Sequence, residues 1–299
     1  MNSVETIITI IVMIAIGYLL RKIGLLKSED SLILNKIVVN LSIPSLIFLA
    51  MYTADLTNIH ILAPIPFICI FLGILSGVIG YLLAKAKGYS RKTRWSIITT
   101  STMVNSGFLG YPVVLSVFGT EGLIRAIFYD MGSIILFISF GVLFMLIFTG
   151  KSSDIIKRAL LFPPLWGVLL GILFNFLNIE IGIAENIIDY LSGAAIPLIM
   201  ISLGLSLQAR NIKGYFEAAS YVSLIRLVLA PVLALLIVYF LGIGGLERSV
   251  IIVEAAMPSA MLSLVLAINY DLDVNAAAAC IFLTTVLSMI TIPLIIMIL

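Results

Sequence analysis

Charge is what this sequence has least of. Lys, Arg, Asp and Glu make up 11% of its 299 residues, while 62% are hydrophobic and the mean hydropathy is +1.24. A soluble domain carries about 25% charged residues. So few charges cannot cover a water-facing surface, which excludes a soluble enzyme, and so apolar a chain is not disordered. The net charge of +2, spread over short separated loops, excludes a nucleic-acid partner. Histidine is nearly absent, with His60 alone, and there are two cysteines, Cys69 and Cys280, each inside an apolar run. They cannot build a zinc framework, so each cysteine reads as a buried thiol and His60 as an interfacial loop residue. No phosphate-loop or metal-ligand spacing occurs. Tyr129-Asp130 and Tyr270-Asp271 resemble the Tyr-Asp of intramembrane proteases, but the partner Gly-x-Gly-Asp is missing. The chain is therefore not expected to be an enzyme or to hold a cofactor, beyond Na⁺ or H⁺ as a coupling ion. A cleavable leader is not expected either: Glu5 precedes the first apolar run and Arg21-Lys22 follow it, the reverse of a signal peptide's charge order.

Long apolar runs are what the sequence does have. A helix needs roughly 20 apolar residues to cross a bilayer. Seven uncharged stretches reach that length, at 61–84, 95–120, 131–150, 159–179, 190–209, 227–246 and 274–299. Three shorter ones qualify once a flanking polar residue is admitted. Ten spans are expected, at 4–20, 31–54, 61–84, 95–118, 122–149, 159–178, 187–208, 214–241, 249–269 and 274–298. They are continuous rather than alternating, hence helices and not barrel strands. Thirteen of the 17 Lys and Arg fall in the loops after spans 1, 3, 5 and 7; the other loops hold only Arg125 and Arg248. The positive-inside rule then puts those basic loops in the cytoplasm and both termini outside a cell membrane.

The loop Gly150-Lys151-Ser152-Ser153-Asp154 divides the spans five and five. Because five is odd, residues 1–150 and 151–299 are expected to be repeats of opposite orientation. Ser42-Ile43-Pro44-Ser45-Leu46-Ile47 reads like Ala195-Ile196-Pro197-Leu198-Ile199-Met200 at an offset of 153. The same offset sets Val104-Asn105-Ser106-Gly107 against Met257-Pro258-Ser259-Ala260. Inverted repeats with matched interruptions are a transporter signature, with the solute held where the helices break. Span 4 carries Gly107, Gly110 and Pro112, and span 9 carries Pro258, Ser259 and Ser263. Proline lacks an N–H donor and glycine admits non-helical angles. Gly73-x-x-x-Gly77 and Gly167-x-x-x-Gly171 allow close helix approach, the second being a candidate dimer contact.

These residues give the chain a family likeness. Gly17-Tyr18, Gly24-Leu25-Leu26, Asn40-Leu41-Ser42-Ile43-Pro44, Asn105-x-Gly107-Phe108-Leu109-Gly110-x-Pro112, Ala256-Met257-Pro258-Ser259-Ala260, Thr284-Thr285-Val286-Leu287-Ser288 and Pro293 resemble the auxin efflux carrier family nearly end to end. That family includes plant PIN auxin carriers and prokaryotic malate/malonate permeases. The resemblance implies an all-α membrane protein of two inverted five-helix repeats, with broken helices 4 and 9 crossing as in bile-acid/sodium symporters. It implies a scaffold of spans 1, 2, 6 and 7, a transport domain from the other six, elevator motion and a homodimer. The 150–158 loop is short, so the phospho-control of the plant carriers' long loop is not implied.

An ionisable group inside a span is a functional candidate. Lys36 sits near a span end and can snorkel. Arg226 lies near the middle of span 8, and Asp130, inside span 5, is its expected ion-pair partner. Glu254 stands one turn before Pro258 and is the candidate for Na⁺ or H⁺. The reading is a secondary carrier of a small organic anion working by alternating access. Asn105, Ser106, Gly107, Pro112, Pro258 and Ser259 are the expected binding residues, with half-helix N-termini supplying positive charge. The alternatives are a cation-coupled transporter or sodium/proton exchanger using Glu254 and, less favoured, a channel or a substrate-sensing receptor.

Overall fold

A computed structural model describes residues 3–57, 59–148, 161–207 and 212–299 of the chain. Among the described residues every regular element is a helix. In chain order they are α1 (Ser3–Lys22), α2 (Asp30–Tyr52), α3 (Ile59–Ala86), α4 (Arg91–Thr102) and α5 (Tyr111–Ile147, entered through one wide turn, Ser106–Gly110). Then come α6 (Pro163–Phe176), α7 (Ile183–Ser206), α8 (Ile212–Phe240), α9 (Gly245–Ala255), α10 (Leu262–Asn269) and α11 (Val274–Ile298). Six stretches, α2, α3, Ser106–Phe144, α7, α8 and α11, are long and apolar enough to cross a membrane. The chain is a multi-pass membrane protein. The dividing loop at 150–154, and Lys151, Lys157, Arg158 and Arg210 of the charge count, lie outside the described residues.

The polarity is turned inside out. Phe67, Phe176, Tyr190, Tyr239 and Phe240 are among the large apolar side chains left exposed, whereas Ser96, Thr99, Thr100, Ser101 and Thr102 on α4 and Thr284, Thr285 and Ser288 on α11 are buried. That is the arrangement a bilayer selects, because hydrocarbon solvates the apolar surface and hydroxyls must find partners within the protein.

Prolines set the irregular turns by one rule. Wide five-residue turns occur at Val38–Ser42, Ser106–Gly110 and Ile225–Leu229, and each ends two residues before a proline, Pro44, Pro112 and Pro231. A proline offers no N–H to the preceding turn, and its ring presses on the carbonyl four residues back, so the turn opens. Pro112 therefore sits at the start of regular α5 and widens span 4 without interrupting it. The interruption lies upstream, at Met103-Val104-Asn105. Gly119, with φ 68° and ψ −165°, separates the half-helix that begins at Ser106 from the long remainder of α5.

The helices form two compact units. One is Met1–Ile59, Leu115–Ile124 and Lys157–Leu207; the other is His60–Val114, Arg125–Ile156 and Gln208–Leu299. The first thus gathers spans 1, 2, 6 and 7, the set that the resemblance assigns to a scaffold. Within it α1 and α7 meet through Gly17 and Gly204, where an added Cβ would strike the backbone of Ile201 and of Ile14 and Tyr18. Gly167 and Gly171 of α6 lie against Pro44, Phe48 and Met51 of α2, with Pro44 O only 2.7 Å from a Cβ at Gly167. The Gly167-x-x-x-Gly171 pair thus packs within one chain, not as the dimer contact the spacing suggested. Asn175 Nδ2 ties α6 to the end of α2 by donating to the carbonyls of Met51 (3.0 Å), Tyr52 (2.7 Å) and Ala54 (2.8 Å). Arg21 Nη1 donates to Leu205 O (2.9 Å) and Leu207 O (2.6 Å), placing a cation on the carbonyl end of α7.

In the second unit α3 packs on α4 through Gly73, Gly77 and Gly80, which face Thr102 and Ser101. Ser90 caps α4, accepting from Thr93 N at 3.2 Å, so this span starts at Arg91 rather than at 95. Asp273 caps α11, accepting from Ala276 N at 3.1 Å, and also takes a bond from Thr93 Oγ1 at 2.7 Å. Ion pairs Arg125–Glu247 (2.7 Å) and Lys92–Asp271 join span ends within the unit. Lys87, in the loop after α3, pairs with Glu217 in the first turns of α8 at 2.6 Å. That hydrogen bond holds the Lys87 ammonium above its ordinary value. The nearby Tyr89 phenol is pushed up to about 12 by burial first and the Glu217 charge second.

Candidate functional site

Both interruptions fall in the second unit. α4 stops at Thr102, and Met103 is extended with φ −86° and ψ 123°. α9 stops at Ala255, and the chain runs through Ala256-Met257-Pro258-Ser259-Ala260-Met261 before α10 begins. Breaking a helix in a medium without water frees N–H and C=O groups that must be satisfied elsewhere. Here each break satisfies the other. Asn105 N donates to Pro258 O at 2.9 Å, and Ala260 N donates to Met103 O at 3.0 Å. Val104 and Ser259 stand opposite each other as an antiparallel pair. Two broken helices therefore cross as a minimal two-stranded ribbon in a buried interior.

Hydroxyls complete the crossing. Ser259 Oγ donates to Thr100 O at 2.7 Å and Ser263 Oγ to Thr99 O at 3.1 Å, while Ser259 N donates to Thr284 Oγ1 at 3.2 Å. The α4 carbonyls near its cut end thus receive hydrogen bonds from the other broken span. Thr99 and Thr100 were not singled out from the sequence, and Thr284 entered only as part of the family likeness. The signal was there in Thr99-Thr100-Ser101-Thr102 and Thr284-Thr285, hydroxyl runs in otherwise apolar spans.

The intramembrane charges divide in an unexpected way. Arg226 is buried, and its Nη2 donates to Ala255 O and Met257 O, both at 3.0 Å. It caps the carbonyl end of half-helix α9, where a helix dipole favours a cation. Asp130 accepts from Ser106 Oγ and from Tyr111 Oη (2.9 Å), beside the start of the half-helix at Ser106. Each charge serves a cut helix end, and the expected Arg226–Asp130 ion pair is not among the pairs formed by the described residues. The guanidinium is turned to two orphan carbonyls through Nη2, with its buried Nε left without a partner among the described residues, a choice no sequence spacing reveals.

The structure brings all the expected binding residues into this unit. Asn105 is 4% exposed, and among the described residues its side-chain amide has no hydrogen-bond partner. The hydroxyl protons of Ser106 and Ser259 are committed to Asp130 and Thr100 O, so both read as building the crossing. Pro258 supplies a carbonyl to Asn105 N. A Cβ at Gly107 would stand 3.5 Å from Asp130 Oδ2, and one at Gly110 would stand 2.7 Å from Glu254 Cδ. Glu254 is fully buried, and neither carboxylate oxygen has a hydrogen-bond partner among the described residues. The paired breaks thus gather backbone groups, the Asn105 amide and three buried side chains that can carry charge, Asp130, Arg226 and Glu254.

Comparison with known proteins gives a consistent picture. The model of the family described as membrane transport protein matches the chain twice, over residues 2–155 and 151–296. A transporter of Methanothermobacter thermautotrophicus is 49% identical over 294 residues, covering 98% of this chain and 97% of its own. A transporter of Methanocaldococcus jannaschii is 35% identical over 305 residues, covering 98% of each. A Rhizobium meliloti protein named as a malonate transporter is 29% identical over 143 residues, 46% of this chain and 44% of its own.

Proposed function

From the premise that the chain belongs to the membrane transport protein family, that of the auxin efflux carriers, we propose that it is a secondary carrier of a small organic anion. The observation that carries this reading is the mutual pairing of the two breaks, with the Asn105 amide left unpartnered beside it. A carboxylate is the chemistry such an amide donor favours, and malonate, named for the Rhizobium meliloti relative, is the first solute to test. In this reading the ten spans are two inverted repeats, 1–150 and 151–299, with both termini outside the cell membrane. The unit holding the crossing moves past the other in an elevator stroke within a homodimer. The half-helix beginning at Ser106 lies beside Asp130, so its positive end is already matched and recognition falls mainly to Asn105. A second reading, coupling to a cation through Glu254, is favoured by that carboxylate's lack of a partner.

The test is uptake of labelled malonate by proteoliposomes. A hydrogen bond to a charged group contributes about 1.5–3 kcal/mol, so Asn105→Ala is expected to weaken malonate transport roughly 10- to 150-fold while the purified protein stays monodisperse and helical. Uptake at the wild-type level in Asn105→Ala would reject this placement, and saturation-free flux would favour a channel.

A further inference from the structure

Three ionisable side chains are buried around the crossing, and two of them have partners. Arg226 is spent on the Ala255 and Met257 carbonyls, and Asp130 on the hydroxyls of Ser106 and Tyr111. Glu254 alone has none. It is 0% exposed, and its carboxylate lies across the α-carbon of Gly110, where there is no donor to receive. The groups within electrostatic reach of it are Cys69 on α3, Tyr111 at the start of α5, and Tyr129 and Asp130 further along α5, while Arg226 on α8 is turned to the Ala255 and Met257 carbonyls. None donates a hydrogen bond to it.

An ionised carboxylate without donors costs tens of kcal/mol in a medium of ε ≈ 4 on the Born scale, whereas a neutral hydroxyl-bearing group left unpaired costs only about 2–7 kcal/mol. With Asp130 and Arg226 charged, the three groups sum to zero only if Glu254 is neutral. A hard cation would need a shell of oxygens. What the structure sets against the carboxylate is a glycine α-carbon.

Resting on the anion-carrier reading above, we propose that Glu254 is a proton-binding site, held as the carboxylic acid at neutral pH whether or not an anion is bound, and that an anion enters the crossing beside the neutral acid. The carrier is thereby proton-linked. Ionised Glu254 adds a second negative charge beside Asp130 and opposes the incoming carboxylate, so proton and anion favour each other's binding by the same factor. Gly110 is part of the device, since only a residue without Cβ lets the acid lie where it does.

Infrared spectroscopy of the protein in lipid at neutral pH tests the site without any ligand. The carbonyl stretch of a protonated, buried carboxylic acid is expected in wild type and in Asp130→Asn and is lost in Glu254→Gln. A band that survives Glu254→Gln, or is absent from wild type, overturns the proposal. Should Glu254→Gln not fold, wild type grown with carboxyl-¹³C glutamate decides. A downshifted band belongs to a glutamate, and an unshifted one, an aspartate's, overturns the assignment. Malonate binding between neutral and alkaline pH, where malonate is already fully ionised, tests the linkage. Above the pH at which Glu254 loses its proton, wild-type affinity falls about tenfold per pH unit, and in Glu254→Gln it is flat. An equal fall in both, or a wild-type affinity set by Na⁺ and not by pH, overturns proton linkage. If wild type binds no malonate at any pH, the anion reading fails, and the infrared result still decides the proton site.

Discussion

Gly107 and Gly110 lie one turn apart on the same half-helix, and the structure assigns them opposite fates when each is changed to alanine. Neither has a positive φ, so both positions accept an L-residue without backbone strain. Each substitution gains up to about 1 kcal/mol of helix propensity. At Gly107 the new methyl stands 3.5 Å from Asp130 Oδ2, an ordinary contact. At Gly110 it would stand 2.7 Å from Glu254 Cδ, well inside van der Waals contact, and Glu254 is fully buried. Overpacking of this kind costs about 1–3 kcal/mol. Gly107→Ala is therefore expected to equal wild type or exceed it by up to about 1 kcal/mol, and Gly110→Ala to fall below Gly107→Ala by about 1–3 kcal/mol. Thermal unfolding of the three proteins in one detergent orders them directly. Equal midpoints for the two variants would refute the placement of Glu254 against Gly110.

Other consequences are as direct. Arg226→Met leaves the carbonyls of Ala255 and Met257 without their donor; at about 1–3 kcal/mol for each orphaned group, a clear drop in unfolding midpoint is expected, and a midpoint within error of wild type contradicts the capping role. Gly204→Ala drives a methyl into the Ile14 carbonyl and to 2.8 Å from Tyr18 N, both backbone and unable to swing aside. A loss of about 1–3 kcal/mol follows, and a neutral result would show that α1 and α7 lie further apart. Lys87 has its proton held more tightly when folded, by the hydrogen bond to Glu217. The stability it adds is present below the ordinary lysine value of 10.5 and is lost as the pH rises past it. The wild-type advantage over Lys87→Met should shrink in alkaline buffer, and an advantage constant with pH would rule the pair out as its source.

Much of this architecture is legible in the sequence because a bilayer allows few alternatives. Apolar runs of fixed length become helices, and Pro258 together with the Asn105-Ser106-Gly107 stretch marks where two of them stop. Glu254, Arg226 and Asp130 stand out by charge alone. What the sequence hides is partnership. Arg226 finds the carbonyl end of α9 instead of Asp130 because a broken helix creates acceptors that no residue name announces. Pro112 reads as a breaker yet only widens a turn, since the chain had already left the helix at Met103. The Ser and Thr run of α4 carries no charge, so it passes for ordinary span, although its carbonyls receive Ser259 and Ser263. Gly167 and Gly171 show a close approach without saying to which helix.

The crossing of the two breaks is the claim on which the site, the carrier reading and the proton site all depend, and one cross-link tests it. Val104 and Ser259 face each other as an antiparallel pair flanked by hydrogen bonds on both sides. That geometry sets α-carbons about 4.5 Å apart, within the roughly 4.4–6.8 Å that a disulfide spans. In a chain carrying Cys69→Ala and Cys280→Ala, Val104→Cys and Ser259→Cys should join on mild oxidation. The two halves should then stay linked after the chain is cut at a protease site introduced at 150–154, and separate on reduction. Halves that separate without reduction, from folded and oxidised protein, would contradict the crossing.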